Sequence, residues 1–370
     1  MSGIQIREFR FLTLAVPFKT AFRHAAAERS ETSSVWIEAF GDGAVGYGES
    51  CPRPYVTGET IDSAREFFVE YESSLRLRVR DVASLRAWMS EHADAIDRNP
   101  AAWCALELAT LDLIARHAAV TVESLLGLAA LDGRFYYTAV LGDMGIDAFQ
   151  ATAERYRKLG FTDFKVKLSG DLDHDRRKLS SLREHPGIRI RVDANNLWQT
   201  AEPAISFLTA LDTPLFAVEE PVAPGQFDLL AHIAGDIGCQ IVLDESISRS
   251  SQVTPLLADP SLWLVNLRVS KMGGLLRSLD LAEAVRHAGI GLIVGAQVGE
   301  TSLLTRAALT VAHASRERLV AQEGAFGTML LERDVCEPPL MFGRGGAIEA
   351  AAYPMLATPG FGIQCAGFAH

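Results

Sequence analysis

The stretch FKVKLSGDLDHDRRKLSSLREHPGIRIRVDAN, residues 164–195, decides the fold. It starts with an apolar run interrupted by lysines, continues through a polar stretch of helical character, and ends in a β-branched run that stops at Asp193. A strand, a helix and a second strand in that order form one βα unit of a parallel sheet. Comparable runs recur from about residue 135 onward, at residues 136–142, 161–168, 188–195, 214–221, 240–246, 262–270 and 291–298.

Seven such units predict a closed (β/α) barrel. An open, doubly wound sheet is the alternative, but it normally carries a Gly-rich phosphate turn after its first strand. No GxGxxG or GxxxxGK motif occurs in this chain. The barrel is therefore the better prediction.

The remainder of the chain has a different pattern. Residues 4–130 are typical of an α+β unit, and residues 99–118 form its longest amphipathic helix candidate. The expected core positions of that helix are Trp103, Leu106, Leu111 and Ile114. The Gly- and Pro-rich tail from about residue 335 has too few periodic units to fold alone, so we expect it to return to the N-terminal part.

Composition excludes several classes of protein. Apolar residues make up 48% of the 370 residues, enough for a large core, and the net charge of -11 argues against nucleic acids and acidic membranes as partners. No signal peptide or membrane span is evident. The five cysteines are scattered without a CxxC pair, which favours reduced thiols and a cytoplasmic location over disulfides or a zinc site.

Charged residues follow successive predicted strands at regular intervals. Lys167, Asp193, Glu219 and Asp244 are separated by 26, 26 and 25 residues, which is one βα unit per step. Because catalytic groups of parallel barrels sit at the C-terminal ends of strands, these side chains should meet on one rim. Two Asp and one Glu are hard oxygen ligands suited to Mg²⁺, with Mn²⁺ as a second candidate.

Strand alternation places two lysines beside this predicted metal site. Lys165 and Lys167 share one face of their strand, opposite the apolar Phe164, Val166 and Leu168, so both should point into the barrel. A metal ion that binds a substrate carboxylate makes the α-proton more acidic. A lysine near a second cation can have its pKa lowered enough to take that proton near neutral pH.

At this point the chain resembles a known family, the enolase superfamily, in its muconate-lactonizing and mandelate-racemase-like branch. AVGYGESCPRPYVTGET (44–60) is similar to the loops that cover the family's active site, and AAWCALELATLDLIAR (101–116) to the last helix of its capping domain. The other motifs that carry the resemblance are KVK (165–167), DANNLW (193–198), VEEP (218–221), LDES (243–246) and NLRVSKMGG (266–274).

The resemblance implies a modified (β/α)7β barrel with an α+β capping domain. The implied divisions are a capping domain at 1–130, the barrel at 131–335 and a tail at 336–370 that returns to the capping domain. It also implies Mg²⁺-assisted removal of a proton α to the carboxylate of a small-molecule substrate, and a homo-oligomer. The implied roles are metal ligation for Asp193, Glu219 and Asp244, the base for Lys167, its partner for Lys165, a contact near the substrate carboxylate for Asn195, and a hydrogen bond to the intermediate for Glu300.

One position departs from the family pattern. Where the family usually has a second lysine at the end of the sixth strand, this chain has Arg268, and Lys271 lies beyond it as an expected supporting or substrate-binding residue. Arginine stays charged at any working pH and is a poor proton carrier, although it can hold a carboxylate. A His-Asp pair, the other solution of the family, is absent from the sixth and seventh strands.

Three readings of the function follow. Arg268 or Lys271 acts as the second acid or base, which gives racemisation or epimerisation of a small carboxylate or amino acid derivative. Alternatively, Lys167 acts alone, in a dehydratase, another lyase or a cycloisomerase. The third reading is a non-catalytic barrel that keeps the metal site, against which the intact Lys165 and Lys167 pair argues.

The substrate-binding end is less well marked. Dipeptide epimerases of this branch carry Asp-x-Asp near the last strand end, whereas this chain has only Glu323 there, which we expect to contact the substrate. In the predicted capping loops, Arg53 and Tyr55, together with Phe22, Arg23 and His24, are the expected substrate contacts.

Overall fold

A computed structural model of the chain describes residues 3–24, 27–183, 185 and 187–365, without the side chains of residues 21–24, 27 and 28. The N-terminal part is built on an antiparallel sheet in the order β1–β4–β5, with β2 and β3 as a separate hairpin. The strands are β1 (Ile6–Leu14), β2 (Pro17–His24), β3 (Ala27–Glu31), β4 (Ser34–Gly41) and β5 (Ala44–Ser50). The helices that follow are α1 (Ile61–Arg78), α2 (Val82–Glu91), α3 (Ala93–Arg98), α4 (Pro100–His117) and α5 (Val122–Leu125).

Helix α4 is the centre of this unit, and it corrects the prediction of an amphipathic helix. Every residue from Pro100 to Ala115 is buried. The sheet lies unusually close on one side, because a Cβ on Gly48 would come within 1.9 Å of the Ala105 carbonyl oxygen. Barrel helices cover the other side. Over these residues the helix therefore has no solvent face and its polar side chains are buried, while its last two residues, Arg116 and His117, reach the surface.

The second part is an eight-stranded sheet in which every neighbouring pair is parallel. After a short strand β6 (Arg134–Tyr136), its strands are β7 (Ala139–Leu141), β8 (Asp163–Lys167), β9 (Arg189–Asp193), β10 (Ala217–Glu219), β11 (Gln240–Leu243), β12 (Trp263–Arg268), β13 (Gly291–Gly295) and β14 (Leu319–Gln322). The intervening helices are α6 (Ile146–Leu159), α7 (Leu172–Arg183), α8 (Ala201–Ala210), α9 (Phe227–Ile237), α10 (Val269–Met272), α11 (Leu275–His287) and α12 (Ser302–Ala314), and β15 (Ala347–Glu349) follows.

The predicted barrel is confirmed, including its curvature. The sheet curls until its two edges meet, where the backbone N–H of Thr138 donates to the Gln322 carbonyl at 2.7 Å. One connection departs from the βα pattern, since short 3-10 helices at Ser250–Ala258 and Pro260–Leu262 take the place of an α-helix between β11 and β12. Among the described residues, no helix is long and apolar enough to cross a membrane.

The C-terminal residues pack on both parts. Strand β15 pairs with β6, while Phe361 N–H donates to Asp112 Oδ1 at 2.7 Å and Arg116 Nη2 donates to the Ile363 carbonyl at 2.6 Å, both on α4. These contacts agree with a tail that returns to the capping unit. The exact domain divisions at residues 130 and 335 stay predictions.

Two buried carboxylates fasten the N-terminal unit over the barrel. Glu49, at the end of β5, accepts from Thr301 N at 3.0 Å and Thr301 Oγ1 at 2.6 Å, at the start of α12. Glu107, on α4, accepts from the backbone N–H groups of Leu275 and Leu276 at 2.8 and 2.6 Å, at the start of α11. Helix N-termini offer unpaired N–H groups and a favourable dipole for such anions. Because these helices begin at the C-terminal rim, the capping unit lies over that rim.

Candidate active site

The strand-end residues predicted from the spacing meet on one rim of the barrel. The register pairs Lys167 with Asp193 across β8 and β9, and Asp193 with Glu219 across β9 and β10. Asp244 follows directly after β11, and Arg268 ends β12. The sequence-derived order around the rim is therefore the order in the structure.

Lys165 lies inside the barrel among three carboxylates. Its Nζ is 2.8 Å from Glu219 Oε1, 3.0 Å from Asp193 Oδ2 and 3.3 Å from Glu323 Oε1. Burial works to lower the pKa of Lys165, but the three carboxylates outweigh it and raise the pKa above its ordinary value. Lys165 is therefore a fixed cation in this arrangement.

Lys167 stands nearer the opening. Its Nζ is 2.5 Å from Asp193 Oδ2 and 2.8 Å from Asn195 Oδ1, and its side chain keeps 12% of its surface exposed. Asn195 also donates its backbone N–H to Asp193 Oδ1 at 3.0 Å. Lys167 is thus the lysine of the pair that can reach a molecule in the opening. Asn195 lies beside it, and the contact of Asn195 near the substrate carboxylate stays a prediction.

The pKa values of Asp193 and Glu219 shift in opposite directions. Burial works to raise the pKa of Asp193, but Lys165 and Lys167 together lower it well below its ordinary range. For Glu219, burial is the larger influence and raises the pKa despite Lys165. The Glu219 Oε2 atom has no hydrogen bond of good geometry, although Lys165 Nζ is 2.7 Å away.

Asp244 is held by two cations, one of which is Lys271. Lys271 is buried, and its Nζ donates to Asp244 Oδ1 at 3.0 Å, to the Asn266 carbonyl at 2.9 Å and to the Asp244 carbonyl. Burial and the nearby Arg268 lower the pKa of Lys271 to about 7. With its three acceptors inside the protein, Lys271 is placed to support Asp244, the first of the two roles expected of it, while substrate binding stays a prediction.

Arg268 is the second cation on Asp244. One Nη contacts Asp244 Oδ2, the other donates to Gln297 Oε1 at 3.1 Å, and Nε has no partner. Its residue is 9% exposed. The guanidinium therefore lies across the opening from Lys167, where the family pattern has a lysine.

Glu300 lies beyond β13, close to this arginine. Its Oε1 accepts from the backbone N–H of Gln297 at 2.7 Å. Burial raises the pKa of Glu300 to about 7, and the charges of Arg268 and Arg53 oppose the rise. A carboxyl group that titrates near neutral pH can donate or accept a hydrogen bond, which fits its predicted contact with an intermediate.

Glu323 follows β14, as expected from the sequence. Its Oε1 accepts from Arg191 Nη2 at 2.5 Å and its Oε2 from Lys165 Nζ at 3.4 Å. Its carboxylate is thus paired with two cations of the barrel interior. The substrate contact expected of Glu323 stays a prediction, and in this structure both of its oxygens already have partners.

Two of the residues predicted to contact substrate from the capping loops, Arg53 and Tyr55, have described side chains. Arg53 is fully buried and donates to the carbonyls of Ser33 at 2.7 Å, Pro52 at 2.9 Å and Val298 at 2.9 Å. It therefore joins the capping unit to the barrel, its Nε has no hydrogen-bond partner, and the substrate contact expected of it stays a prediction. Tyr55 is half-buried under the guanidinium of Arg29, with 5.8 Å to the ring centre. The side chains of Phe22, Arg23 and His24 lie outside the described residues.

Several site residues were missed in the sequence. Asn266 donates to Glu219 Oε1 at 3.1 Å, Glu220 accepts from Asp244 N at 2.7 Å, and Arg191 and Gln297 hold Glu323 and Arg268. For Arg191 and Asn266 the signal was present, since each alternates in register with a predicted inward residue two positions away. Gln297 lies beyond its strand, where alternation gives no guide.

The chemistry of the donor set suits a magnesium ion. Asp193, Glu219 and Asp244 supply only carboxylate oxygens, and the Glu219 Oε2 lacks a hydrogen bond. As the described side chains stand, no three metal-ligating groups are gathered closely enough to hold an ion, because lysines and Arg268 lie between the carboxylates. Before a metal ion can bind at this rim, the lysines and Arg268 therefore have to move away from the carboxylate oxygens.

Comparisons with known proteins agree with this architecture. Residues 148–367 match the family described as Enolase C-terminal domain-like, so the chain belongs to that family and is an enzyme of the enolase superfamily. It is 28% identical over 367 residues to an L-Lys-D/L-Arg epimerase of Methylococcus capsulatus, covering 98% of both chains. It is also 26% identical over 334 residues to muconate cycloisomerase 1 of Acinetobacter baylyi, covering 89% of this chain and 85% of that one.

A solved structure shows the same fold. The dipeptide epimerase of Enterococcus faecalis, complexed with Mg and the dipeptide L-Leu-L-Tyr, superposes with a TM-score of 0.83 at 23% identity, covering 97% of this chain and 99% of that one. Relatives of this chain thus include epimerases and a cycloisomerase, and one of them was solved with magnesium.

Proposed function

We propose that this protein removes the α-proton of a small, magnesium-bound carboxylate with Lys167 as its only base. The observation that carries the proposal is the asymmetry of the opening. A lysine with a partly exposed tip stands on one side, and an arginine held by Asp244 and Gln297 stands on the other.

The residues divide the work as follows. Magnesium, when bound by Asp193, Glu219 and Asp244, supplies positive charge that makes the α-proton of a bound carboxylate more acidic. Lys167 accepts that proton at Nζ, with Asn195 holding the amine in place. Lys165 stays protonated and adds fixed positive charge beneath the reacting carboxylate.

The far side of the substrate meets Arg268, which keeps its proton. A second proton carrier is missing there, because Lys271 is buried behind Asp244 with three acceptors. Protons can then be exchanged on only one face of the α-carbon. Two kinds of reaction need no more than that: a β-elimination, in which a leaving group departs, and a cycloisomerisation, in which a proton is added and removed on the same face. We favour these over racemisation on geometric grounds.

Epimerisation is the second candidate, and the relatives favour it. The epimerase of Methylococcus capsulatus matches this chain over nearly its full length. In that case Arg268 has to act as the acid on the second face, against its high basicity. The non-catalytic alternative is opposed by Lys165 and Lys167, which stand together at the rim as a working pair requires.

Hydrogen–deuterium exchange tests the proposal. N-acetyl amino acids, dipeptides, sugar acids and cis,cis-muconate are incubated with the protein and Mg²⁺ in D₂O, and α-proton loss or new products are followed by NMR. We expect exchange or turnover that EDTA abolishes and that Lys167→Ala lowers by about 100-fold or more. Lys158→Ala, on the exposed part of α6, is the matched control and should leave the rate unchanged. No exchange and no product across the panel would contradict the proposal.

A further inference from the structure

Two buried hydrogen-bond donors lie side by side at the candidate active site without acceptors. They are Arg268 Nε and Gln297 Nε2. The side chains touch, since Arg268 donates to Gln297 Oε1 at 3.1 Å, and the two residues are only 9% and 4% exposed. A buried donor without an acceptor costs about 1–3 kcal/mol. Two of them at the same place indicate that something outside the chain supplies the acceptors.

The protein shapes a corner around these donors. Arg268 ends β12, and a Cβ on Gly295 would come within 2.1 Å of Asn266 Oδ1 and 3.3 Å of Arg268 Cγ, so the glycine leaves room mainly for Asn266 and also for the arginine against the backbone of β13. Gln297 comes two residues later. The nearby carboxylates are engaged elsewhere, because Glu300 accepts from the Gln297 backbone and Glu323 from Arg191 and Lys165.

The charge of the corner decides what kind of acceptor fits. The ion partner of Arg268 in the described structure is Asp244, which Lys271 shares and which is a proposed metal ligand. When Asp244 serves a metal ion, Arg268 still feels the charges of Glu300 and Glu323, but neither carboxylate forms an ion pair with it among the described residues. A buried charge without a direct partner is costly, so an anion fits this corner better than a neutral oxygen.

We propose that Arg268 and Gln297 bind a second acidic group of the substrate, which makes the substrate a short dicarboxylic acid. The inference rests on the proposed function for the position of the first, reacting carboxylate. Because Arg268 contacts Asp244 directly, the two acidic groups of the substrate must be close, with a spacing like that in aspartate or glutamate. An arginine paired with an amide offers a planar row of donors that matches a carboxylate.

Binding measurements with pairs of compounds that match in size and differ by one negative charge test the inference. N-acetyl-L-glutamate and N-acetyl-L-glutamine differ in one acidic group, as do N-acetyl-L-aspartate and N-acetyl-L-asparagine. Titration calorimetry with the intact protein and Mg²⁺ should show at least one diacid binding roughly 10-fold or more tighter than its amide. Equal affinities within both pairs, or no binding of any of the four, would overturn the inference.

Variants locate the effect. Arg268→Met should remove the preference for the diacid, and Gln297→Glu should do so too, because it places a carboxylate beside the guanidinium. Arg157→Met, an exposed arginine paired with Glu154, is the control and should keep the preference. Circular dichroism confirms that each variant is folded. A preference that survives in both site variants overturns the inference.

The two proposals fail separately. α-Proton exchange and product formation, measured on these four compounds and on the full panel above, report on the proposed function. Exchange without a charge preference keeps the function and rejects the dicarboxylate, while a charge preference with no exchange and no product across the full panel does the reverse.

Discussion

Replacing Glu323 by Gln probes the buried ion network beneath the opening. The carboxylate is 2.5 Å from Arg191 Nη2 and 3.3 Å from Lys165 Nζ, and its side chain is 7% exposed. Gln keeps the shape but removes one of the anions around two buried cations; Lys165 keeps Asp193 and Glu219, and Arg191 keeps Asp163. Breaking a buried ion pair completely costs about 3–5 kcal/mol, so we expect a loss of up to that order in the free energy of unfolding at pH 7.

The contribution of Glu323 to stability should fall as the pH is lowered. Burial works to raise the pKa of Glu323, but Lys165, Arg191 and Arg268 outweigh it and lower the pKa to about 2. A carboxylate with a pKa lowered on folding stabilises the protein above its unfolded pKa, near 4.5, and loses this contribution as the pH falls toward 2. From pH 7 to pH 3, the wild-type protein should lose roughly 2 kcal/mol through this group, which the variant cannot lose. The difference in stability between them should shrink by that amount.

Urea unfolding at both pH values measures the difference. Glu283→Gln is the matched control, because its pKa is also lowered to about 2 by Arg286, yet the pair is exposed and screened by water. At both pH values, the Glu283→Gln variant should have the same urea midpoint as the wild-type protein. A difference between Glu323→Gln and wild type that stays constant from pH 7 to pH 3 would refute the reasoning about the buried pair.

Three further predictions concern the second base, the interdomain contact and the metal. Arg268→Lys restores a proton carrier opposite Lys167, so exchange of the slower enantiomer in D₂O should rise by roughly 10-fold or more; unchanged stereochemistry would show that Arg268 is not on the second face. Glu107→Gln places an amide against a backbone N–H at the start of α11 and should lower the free energy of unfolding by about 1–3 kcal/mol, as urea titration measures; an unchanged midpoint would contradict this capping role. Mg²⁺ at about 100 times its Kd should stabilise the wild-type protein by roughly 2.7 kcal/mol in thermal unfolding, an effect that Asp193→Asn and EDTA remove. A melting temperature independent of Mg²⁺ would count against the metal site.

The positions of the strand-end groups could be predicted from sequence because they depend on local order. Alternation along a strand sends Lys165 and Lys167 to the same side, and one βα unit per step brings Asp193 and Glu219 beside them. These relations hold for any closed parallel barrel, whatever packs around it. The motifs at these positions also indicate the superfamily from the sequence alone.

What these residues touch could be decided only by the tertiary structure. Closure of the barrel brings Arg191 to Glu323, 132 positions away, and so gives the Glu323 carboxylate an ion pair that strand alternation does not predict. Docking of the capping unit turns Arg53 inward onto Val298, 245 positions away. Alternation says that a side chain points inward, but not which of the inward side chains it meets.

Arg268, at the end of the sixth barrel strand, shows both what the sequence predicts and what it leaves to the tertiary structure. The sequence by itself identified Arg268 as the departure from the family pattern and assigned it to the rim. Only the folded chain placed Gln297 against it and left two donors unpaired, because that contact joins a strand end to a loop whose path local propensities do not determine. The residue that obscured the reaction in the sequence is, in the structure, the one that points to the substrate's charge.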